Sequence, residues 1–311
     1  MTKPVVLVHT IEQWMALDQQ TKFLIQTNIR LKDRLNNWLK KQQAERFEKA
    51  KAKAASGDDK KPSVVACSRC NPRGTGDPKY HGWLIIHPRY DGIHPSQFGS
   101  TCMLKIYNEM VGRPQRETHD HKTQLIFAFG SALHEIFQTY GENGCWGPKY
   151  EKEVPITGEH QELAAELMLE GAADAENILT IDDIPGHPYT YEVGLVHEYK
   201  SMNTKAFDSL TAPKSWHIQQ ATIYSAALNR PFVVYLYMDK NNSNLKDFPV
   251  AFDQARWQAL YTKGKQLVQC YDDKVDPPAD TGFHCQDCGY YYDCGPAKRA
   301  AEAAAIRKRQ G

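Results

Sequence analysis

From Leu125 to Tyr271 the spacing of apolar residues switches period several times, and that succession constrains the fold more than any other feature of the chain. Helical spacing over Leu125 to Tyr140 gives way to strand-like runs at Tyr150 to Ile156, Leu167 to Ala175 and Tyr189 to Lys200. A helix is then expected at Ser215 to Leu228, a strand at Phe232 to Asp239 and a helix at Asp253 to Tyr271. The order αβββαβα predicts the α/β class, a sheet sandwiched between helices, with no internal repeat. The chain has 311 residues, 41% of them hydrophobic, which allows one substantial core and an appended element.

The N-terminal third reads differently. Thr10 and Gln13 make a capping box, and Trp14, Leu17, Leu24, Leu31, Leu35 and Trp38 fall on a seam of alternating three- and four-residue steps, with Thr21 and Asn28 at the remaining positions. Such a seam predicts a helical arm over residues 1–55 that either lies on the chain's own core or pairs with a second copy or another protein. After Glu45 the seam fades into AKAKAASGDDKKPS, whose small, charged and Gly/Pro-punctuated composition marks a linker. Val64 to His94 is rich in Gly, Pro, Cys and His with little periodicity, so something other than a hydrophobic face must hold it. Cys67 and Cys70, followed by His81 and His87, would do so around a zinc ion, with His94 able to replace either histidine; unligated loop residues are the alternative.

A net charge of +1 is silent on nucleic acid, because binding depends on where basic residues gather. No segment approaches the roughly 18 to 20 uncharged apolar residues of a membrane helix. The opening MTKPVVLVHT has no recognisable cleavage site, so a cytoplasmic protein without membrane contact is expected. In that reducing compartment the eight cysteines read as ligands or buried fillers rather than disulfides.

The strand TYEVGLVHEYKSM carries Glu198, Tyr199 and Lys200 near its end, and strand alternation puts Glu198 and Lys200 on one face. Asp174 lies on an earlier predicted strand and His134 on the preceding helix, so two carboxylates and an imidazole can converge on one divalent cation. Taken singly, a Glu-x-Lys pair is a solvated strand edge and a helical His an ordinary core or surface residue. Their order is more telling. A helical His, then Gly-x-x-Asp, then Glu-x-Lys, then a helix with Gln220 and Tyr224 as Gln-x-x-x-Tyr resembles the RecB-like branch of the PD-(D/E)XK nucleases.

Cys285, Cys288 and Cys294 in FHCQDCGYYYDCGP look like the C-terminal triplet of the iron-sulfur members of that branch, which include the AddB nuclease domain and the CRISPR-associated exonuclease of spacer acquisition. Cys102 occupies the place of the upstream fourth ligand and opens a short helix that Gly112 can end. Spacing alone suits iron-sulfur or zinc equally; the resemblance implies a 4Fe-4S cluster that clasps the two ends of the domain.

The resemblance covers roughly Ser96 to Pro296 and implies a restriction-endonuclease-like core, a mixed sheet flanked by helices in the order αβββαβ. Its segments would be the arm at 1–55, a linker and zinc segment at 56–95, the nuclease domain at 96–297 and a basic helix or tail at 298–311. It also implies a metal-dependent deoxyribonuclease, an exonuclease acting on single-stranded DNA or duplex ends in recombination, repair, replication or spacer acquisition. His134, Asp174, Glu198 and the Tyr199 carbonyl would hold Mg2+ or Mn2+; Lys200 would act on the attacking water; Gln220 and Tyr224 would support the site. The competing class is a DNA-binding iron-sulfur subunit of a larger assembly with little or no cleavage, and a redox sensor would leave the Asp, Glu and Lys unexplained.

His197 and His217 are read as structural or substrate-edge residues, and Cys145 and Cys270 as buried apolar ones. Arg69, Arg73, Lys79 and Arg89, with the C-terminal Lys298, Arg299, Arg307, Lys308 and Arg309, either contact phosphate or form solvated faces.

Overall fold

Among the described residues six strands form one sheet: β1 (Val5–Val8), β2 (Glu151–Pro155), β3 (Ala172–Ile181), β4 (Thr190–Met202), β5 (Phe232–Asp239) and β6 (Leu245–Ala251). This computed structural model describes residues 3–55, 92–100, 102–113, 121–156, 161–182, 184, 187–280, 285, 288–291 and 294–296. The strand order is β2-β3-β4-β5-β6, and β1 pairs with β4. β4 is the axis of the sheet: its near-continuous apolar run is buried on both faces, as suits a strand covered by helices on either side.

β3 runs antiparallel along one edge of β4, while β1 and β5 share the other edge end to end, both parallel to it. β1 takes Thr190 to Val193 and β5 begins at Leu195, so Gly194 falls at the join. A Cβ there would lie 2.6 Å from the His9 carbonyl oxygen and 2.9 Å from Arg230 Cδ, so the two segments can meet only over a glycine.

The helices are α1 (Ile11–Met15), α2 (Gln19–Asn28), α3 (Leu31–Ala55), α4 (Met103–Met110), α5 (His121–Glu142), α6 (Gln161–Glu166), α7 (Thr204–Asp208), α8 (Ser215–Ala227) and α9 (Gln254–Asp273). A 3-10 turn at Pro95–Gly99 precedes α4. The chain divides into two compact units, Met1–Lys32 with Arg89–Gly311 and Asp33–Pro88; what is described of the second is helix α3. No helix among the described residues is long and apolar enough to cross a membrane.

Much of the expected order is present. The helices α5, α8 and α9 and the strands β2, β4 and β5 fall where periodicity puts them, β5 to the residue. Cys102 is the N-cap of α4, and Gly112 beyond its end adopts φ +65, the left-handed conformation that makes glycine a helix stop.

Three expectations change. The N-terminal seam is not one helix: Thr10 caps α1 with the expected box, but Asp18 caps a second helix, accepting from the Thr21 amide at 2.8 Å and its hydroxyl at 2.7 Å. Ile29 is then extended before α3 begins. Trp14 packs edge-on against Phe232 at 4.5 Å, and Gln26 donates to the Pro249 carbonyl, so α1 and α2 lie on the sheet of their own unit.

Second, β3 starts at Ala172 rather than Leu167 and runs to Ile181, because Met168 and Gly171 turn the chain at φ +50 and φ +140. Asp174 is therefore the third residue of its strand. Third, β1 and β6 were not expected: Val5–Val8, placed in the helical arm, pairs with β4 instead, and Lys246, Asp247 and Pro249 disguise β6, whose residues are all half-buried, as befits an edge.

Phe98 in the 3-10 turn is fully buried in the main core cluster, beside Cys102, Leu104 and Ile106. Its ring abuts α9 at Gly264, where an added Cβ would lie 3.3 Å from Phe98 Cζ. Lys263 on the same helix donates to the Phe98 carbonyl at 3.2 Å and to the Ser100 carbonyl. Phe98→Ala should cost about 3–5 kcal/mol in equilibrium unfolding; a loss under about 1 kcal/mol would show that the turn does not anchor α4 to α9.

Candidate active site

β3 and β4 pair regularly from Ile181↔Tyr191 to Ala175↔His197 and then part. Asp174 stands at the fork. One carboxylate oxygen accepts the Tyr199 backbone N–H at 2.7 Å, replacing a ladder hydrogen bond, and the other lies 3.1 Å from His134 Nδ1 on α5. Glu198 and Lys200, two apart on β4, form an ion pair on one face. Glu198 is 0% exposed; Lys200 engages its Oε1, and its Oε2 has no hydrogen-bond partner among the described residues.

Across β5 the partners of Glu198 and Lys200 are Tyr235 and Tyr237, both buried. α8 packs over β4 and β5 and brings Gln220 and Tyr224, also buried, against the same row. Thus the expected residues His134, Asp174, Glu198, Tyr199, Lys200, Gln220 and Tyr224 are gathered at one place, although Tyr199 turns its ring to the α5 side, 5.1 Å from Phe137.

The electrostatics follow from burial. Desolvation lifts the Glu198 carboxyl to about 7, with the Asp174 charge adding to the rise and Lys200 opposing it. Burial also works against the charged forms of Asp174, His134 and Lys200, but here the partners win. His134 and Lys200 hold Asp174 below the ordinary range, Asp174 holds His134 above it, and Glu198 with Asp174 raises Lys200. A buried carboxyl with one bare oxygen, beside a second carboxylate, is a donor set that a hard divalent cation fits, since the cation would offset the charge that burial disfavours. As the side chains stand, no three His, Cys, Asp or Glu among the described residues close around a single ion. Asp174 is engaged with His134 and Tyr199, and would have to turn toward Glu198.

Sequence reasoning missed several neighbours. Gln138, one turn after His134, donates to Glu153 Oε1 at 2.5 Å and to the Asp174 carbonyl at 3.0 Å, tying β2, β3 and α5 together. Glu153 lies between the paired positions on β2 that flank Asp174, and its φ of +51 is left-handed. The i, i+4 step from His134 was a usable signal for Gln138; nothing local announces Glu153. His94, considered above as a zinc ligand, caps the 3-10 turn by accepting the Ser96 amide on Nδ1 at 3.2 Å. Its imidazole is neutral at ordinary pH because burial, then the Lys200 charge, pushes its pKa down.

His197 is fully buried. It donates from Nε2 to Asn177 Oδ1 at 2.9 Å, whose amide in turn donates to the Trp146 carbonyl, and its role is structural. Cys145 is buried as expected and Cys270 partly so.

A second feature lies between the 3-10 turn, α4 and the C-terminal segment. Cys102, Cys285, Cys288 and Cys294, none of them in a disulfide, line one cavity of about 60 Å³ together with Lys105 and Tyr290. Successive turns fold the triplet onto itself: the amide of Cys288 donates to the Cys285 carbonyl, that of Tyr291 to Cys288 and that of Cys294 to Tyr291. Burial pushes the Cys288 thiol up, and Cys102 and Cys285, each within electrostatic reach of Cys288, add to the rise. Cys67, Cys70, His81 and His87, the basic residues among them and the tail from Lys298 lie outside the described residues.

No family model matches the sequence, and no curated protein does. Solved structures with a related chain path include SSO0001, at 14% identity and a TM-score of 0.35, covering 67% of this chain and 87% of that one. The alkaline exonuclease LHK-Exo from Laribacter hongkongensis matches at 12% identity and a TM-score of 0.36, covering 60% of this chain and 90% of that one. A structure of LHK-Exo in complex with dAMP matches at 13% with the same TM-score and coverage. Likeness at this level assigns no chemistry.

His217 at the start of α8 has its pKa lowered to about 3, first by burial and then by the Lys200 and Lys214 charges. Its folded pKa lies below the unfolded value, so the unfolded chain takes up a proton that the folded one refuses. Stability from this group is complete above about pH 6.5 and declines as pH falls toward 3. Thermal unfolding between pH 7 and 4 should be less acid-sensitive in His217→Gln, by up to about one proton; identical pH profiles would contradict the neutral, buried imidazole.

Proposed function

We propose that the protein is a metal-dependent deoxyribonuclease of the PD-(D/E)XK superfamily, an exonuclease, with an iron-sulfur cluster on its four clustered cysteines. The observation that carries the reading is the fork between β3 and β4, which sets Asp174 beside the Glu198 and Lys200 pair with His134 behind it.

Hydrolysis of a phosphodiester needs a nucleophilic water, compensation of charge on the phosphate and help for the leaving oxygen. A Mg2+ or Mn2+ ion held by Asp174, Glu198 and the Tyr199 carbonyl, with His134 adjoining, would supply Lewis acidity and lower the pKa of water. The remaining work falls to the chain. The raised pKa of Lys200 keeps it an ammonium, so it orients the attacking water and stabilises the anionic phosphate rather than serving as a free base. Gln138 fixes the strand that carries Asp174, His134 and the Tyr199 amide hold its carboxylate until it turns toward Glu198, and buried Gln220 and Tyr224 close the site from the α8 side.

For the cysteines, the Cys-x-x-Cys and Cys-x-x-x-x-x-Cys spacing of Cys285, Cys288 and Cys294, which resembles that of the iron-sulfur nucleases, favours a cluster over a single ion. Cys102, Cys285, Cys288 and Cys294 line one cavity, so all four can contribute to the same site. Such a cluster would join residues near both ends of the domain and would act as a clasp.

Purified anaerobically and given end-labelled single-stranded and duplex DNA, the protein should release nucleotides only with Mn2+ or Mg2+. Asp174→Ala and Lys200→Ala should each lower the rate at least about a hundredfold while DNA binding in EDTA persists; full digestion by both variants would remove the site. Cys285→Ser should lose most of the bound iron and sulfide, bleach the visible absorption and lower the unfolding midpoint. Zinc in place of iron in the parent protein, or an unchanged midpoint in the variant, would overturn the cluster reading.

A further inference from the structure

Tyr237, the register partner of Lys200, holds the first turn of α8 beside the catalytic row. Its hydroxyl accepts the Lys214 amide at 3.3 Å and lies 2.7 Å from His217 Nδ1. Trp216 sits between these two anchors, with its backbone locked from the other side. An added Cβ on Gly99 would lie 2.9 Å from Trp216 Cβ and 3.2 Å from its carbonyl oxygen.

The position is rigid, yet the indole is 49% exposed, whereas Phe98, Tyr224, Tyr235 and Tyr237 around it are buried. The His217 ring stands edge-on to it at 5.6 Å, and the Lys214 ammonium lies 5.0 Å from its centre. An indole on a fixed backbone, half in water, with a cation over one of its faces and the proposed phosphate-cleaving site next door, has the chemistry of a nucleotide platform. Flat π-faces stack on any base, and an adjacent ammonium meets the phosphate.

We infer that Trp216 and Lys214 form a nucleotide subsite, in which the indole stacks on an unpaired base adjoining the scissile phosphate and Lys214 contacts the neighbouring phosphate. The inference rests on the nuclease reading and names its substrate class as single-stranded DNA. A base inside a duplex offers no free face to the indole, so the subsite favours unpaired strands or frayed ends.

Binding of a labelled oligothymidylate and of a blunt duplex to the full-length protein in EDTA, followed by fluorescence anisotropy, tests it without cleavage. Trp216→Ala should weaken single-strand binding at least about tenfold and duplex binding less than about threefold, while Trp216→Phe stays within about threefold of the parent. Lys214→Ala should reduce the salt dependence of single-strand binding by about one ion. Unchanged single-strand affinity in the Ala variant, equal losses on both DNAs, or a Phe variant as weak as Ala would each overturn the stacking role. Should Trp216→Ala fail to fold, the fluorescence difference between parent and Trp216→Phe takes its place; it must be quenched by the oligonucleotide, and its constancy rejects the subsite. A parent that binds neither DNA defeats the nuclease reading as well. Loss of binding on Trp216→Ala without any Mn2+-dependent digestion by the parent leaves the subsite standing and defeats the nuclease reading alone.

Discussion

The hydrogen bond from the Tyr199 amide to Asp174 is the contact on which the site depends. Two antiparallel strands that separate leave backbone donors to be satisfied, and an unsatisfied buried N–H costs about 1–3 kcal/mol. Here a carboxylate accepts it, so the same atom group that ends the ladder is held at the mouth of the opening. His134 takes the other oxygen, and with both engaged the acid cannot swing freely. Glu198 lies in the opposite condition, fully buried with Lys200 on one oxygen and the other bare, and its ionisation is pushed to about 7. One acid is over-stabilised as an anion and its neighbour is under-stabilised, a division that burial and partner choice alone produce.

The surrounding elements serve to keep that division. α5 brings His134 and Gln138 to the same strand from one side, and α8 presses Gln220 and Tyr224 from the other. The 3-10 turn reaches both regions of interest: His94 at its head is influenced by the Lys200 and Asp174 charges, while Ser100 at its foot lines the cysteine cavity. Lys263 bonds the carbonyls at the end of that turn, at the cost of a lowered pKa in a largely buried place. Six residues of chain, His94 to Gly99, thus span the distance from the neighbourhood of Lys200 to that of the cysteines.

What the sequence discloses here depends on how local each signal is. Glu198 and Lys200 were legible because strand alternation forces residues two apart to one face, and Cys102 and Gly112 because helix ends have side-chain and φ requirements of their own. The partnership of Gln138 with Glu153 was not, since it depends on cross-strand register and on a left-handed residue in mid-strand. The heptad spacing of the N-terminal arm misled because Asp18 fits the polar side of a helix as well as it fits a cap, and only the folded chain shows the cap. β6 hid behind a proline and two charges, and His94 behind a run of histidines that suggested zinc.

Gly194 has a consequence for solubility. By letting β1 and β5 meet end to end, it leaves the long apolar β4 with neighbours along both sides, so the margins of the sheet are β2, β6 and the outer side of β1, which pairs with β4 alone among the described strands. Two of these margins are guarded: β2 reads Glu-Lys-Glu-Val-Pro, and β6 carries Lys246, Asp247 and Pro249. Charged side chains and prolines, which offer no amide proton, discourage a stray strand from docking there, whereas β1, apolar and with Val5 and Leu7 exposed, is the margin left open to pairing.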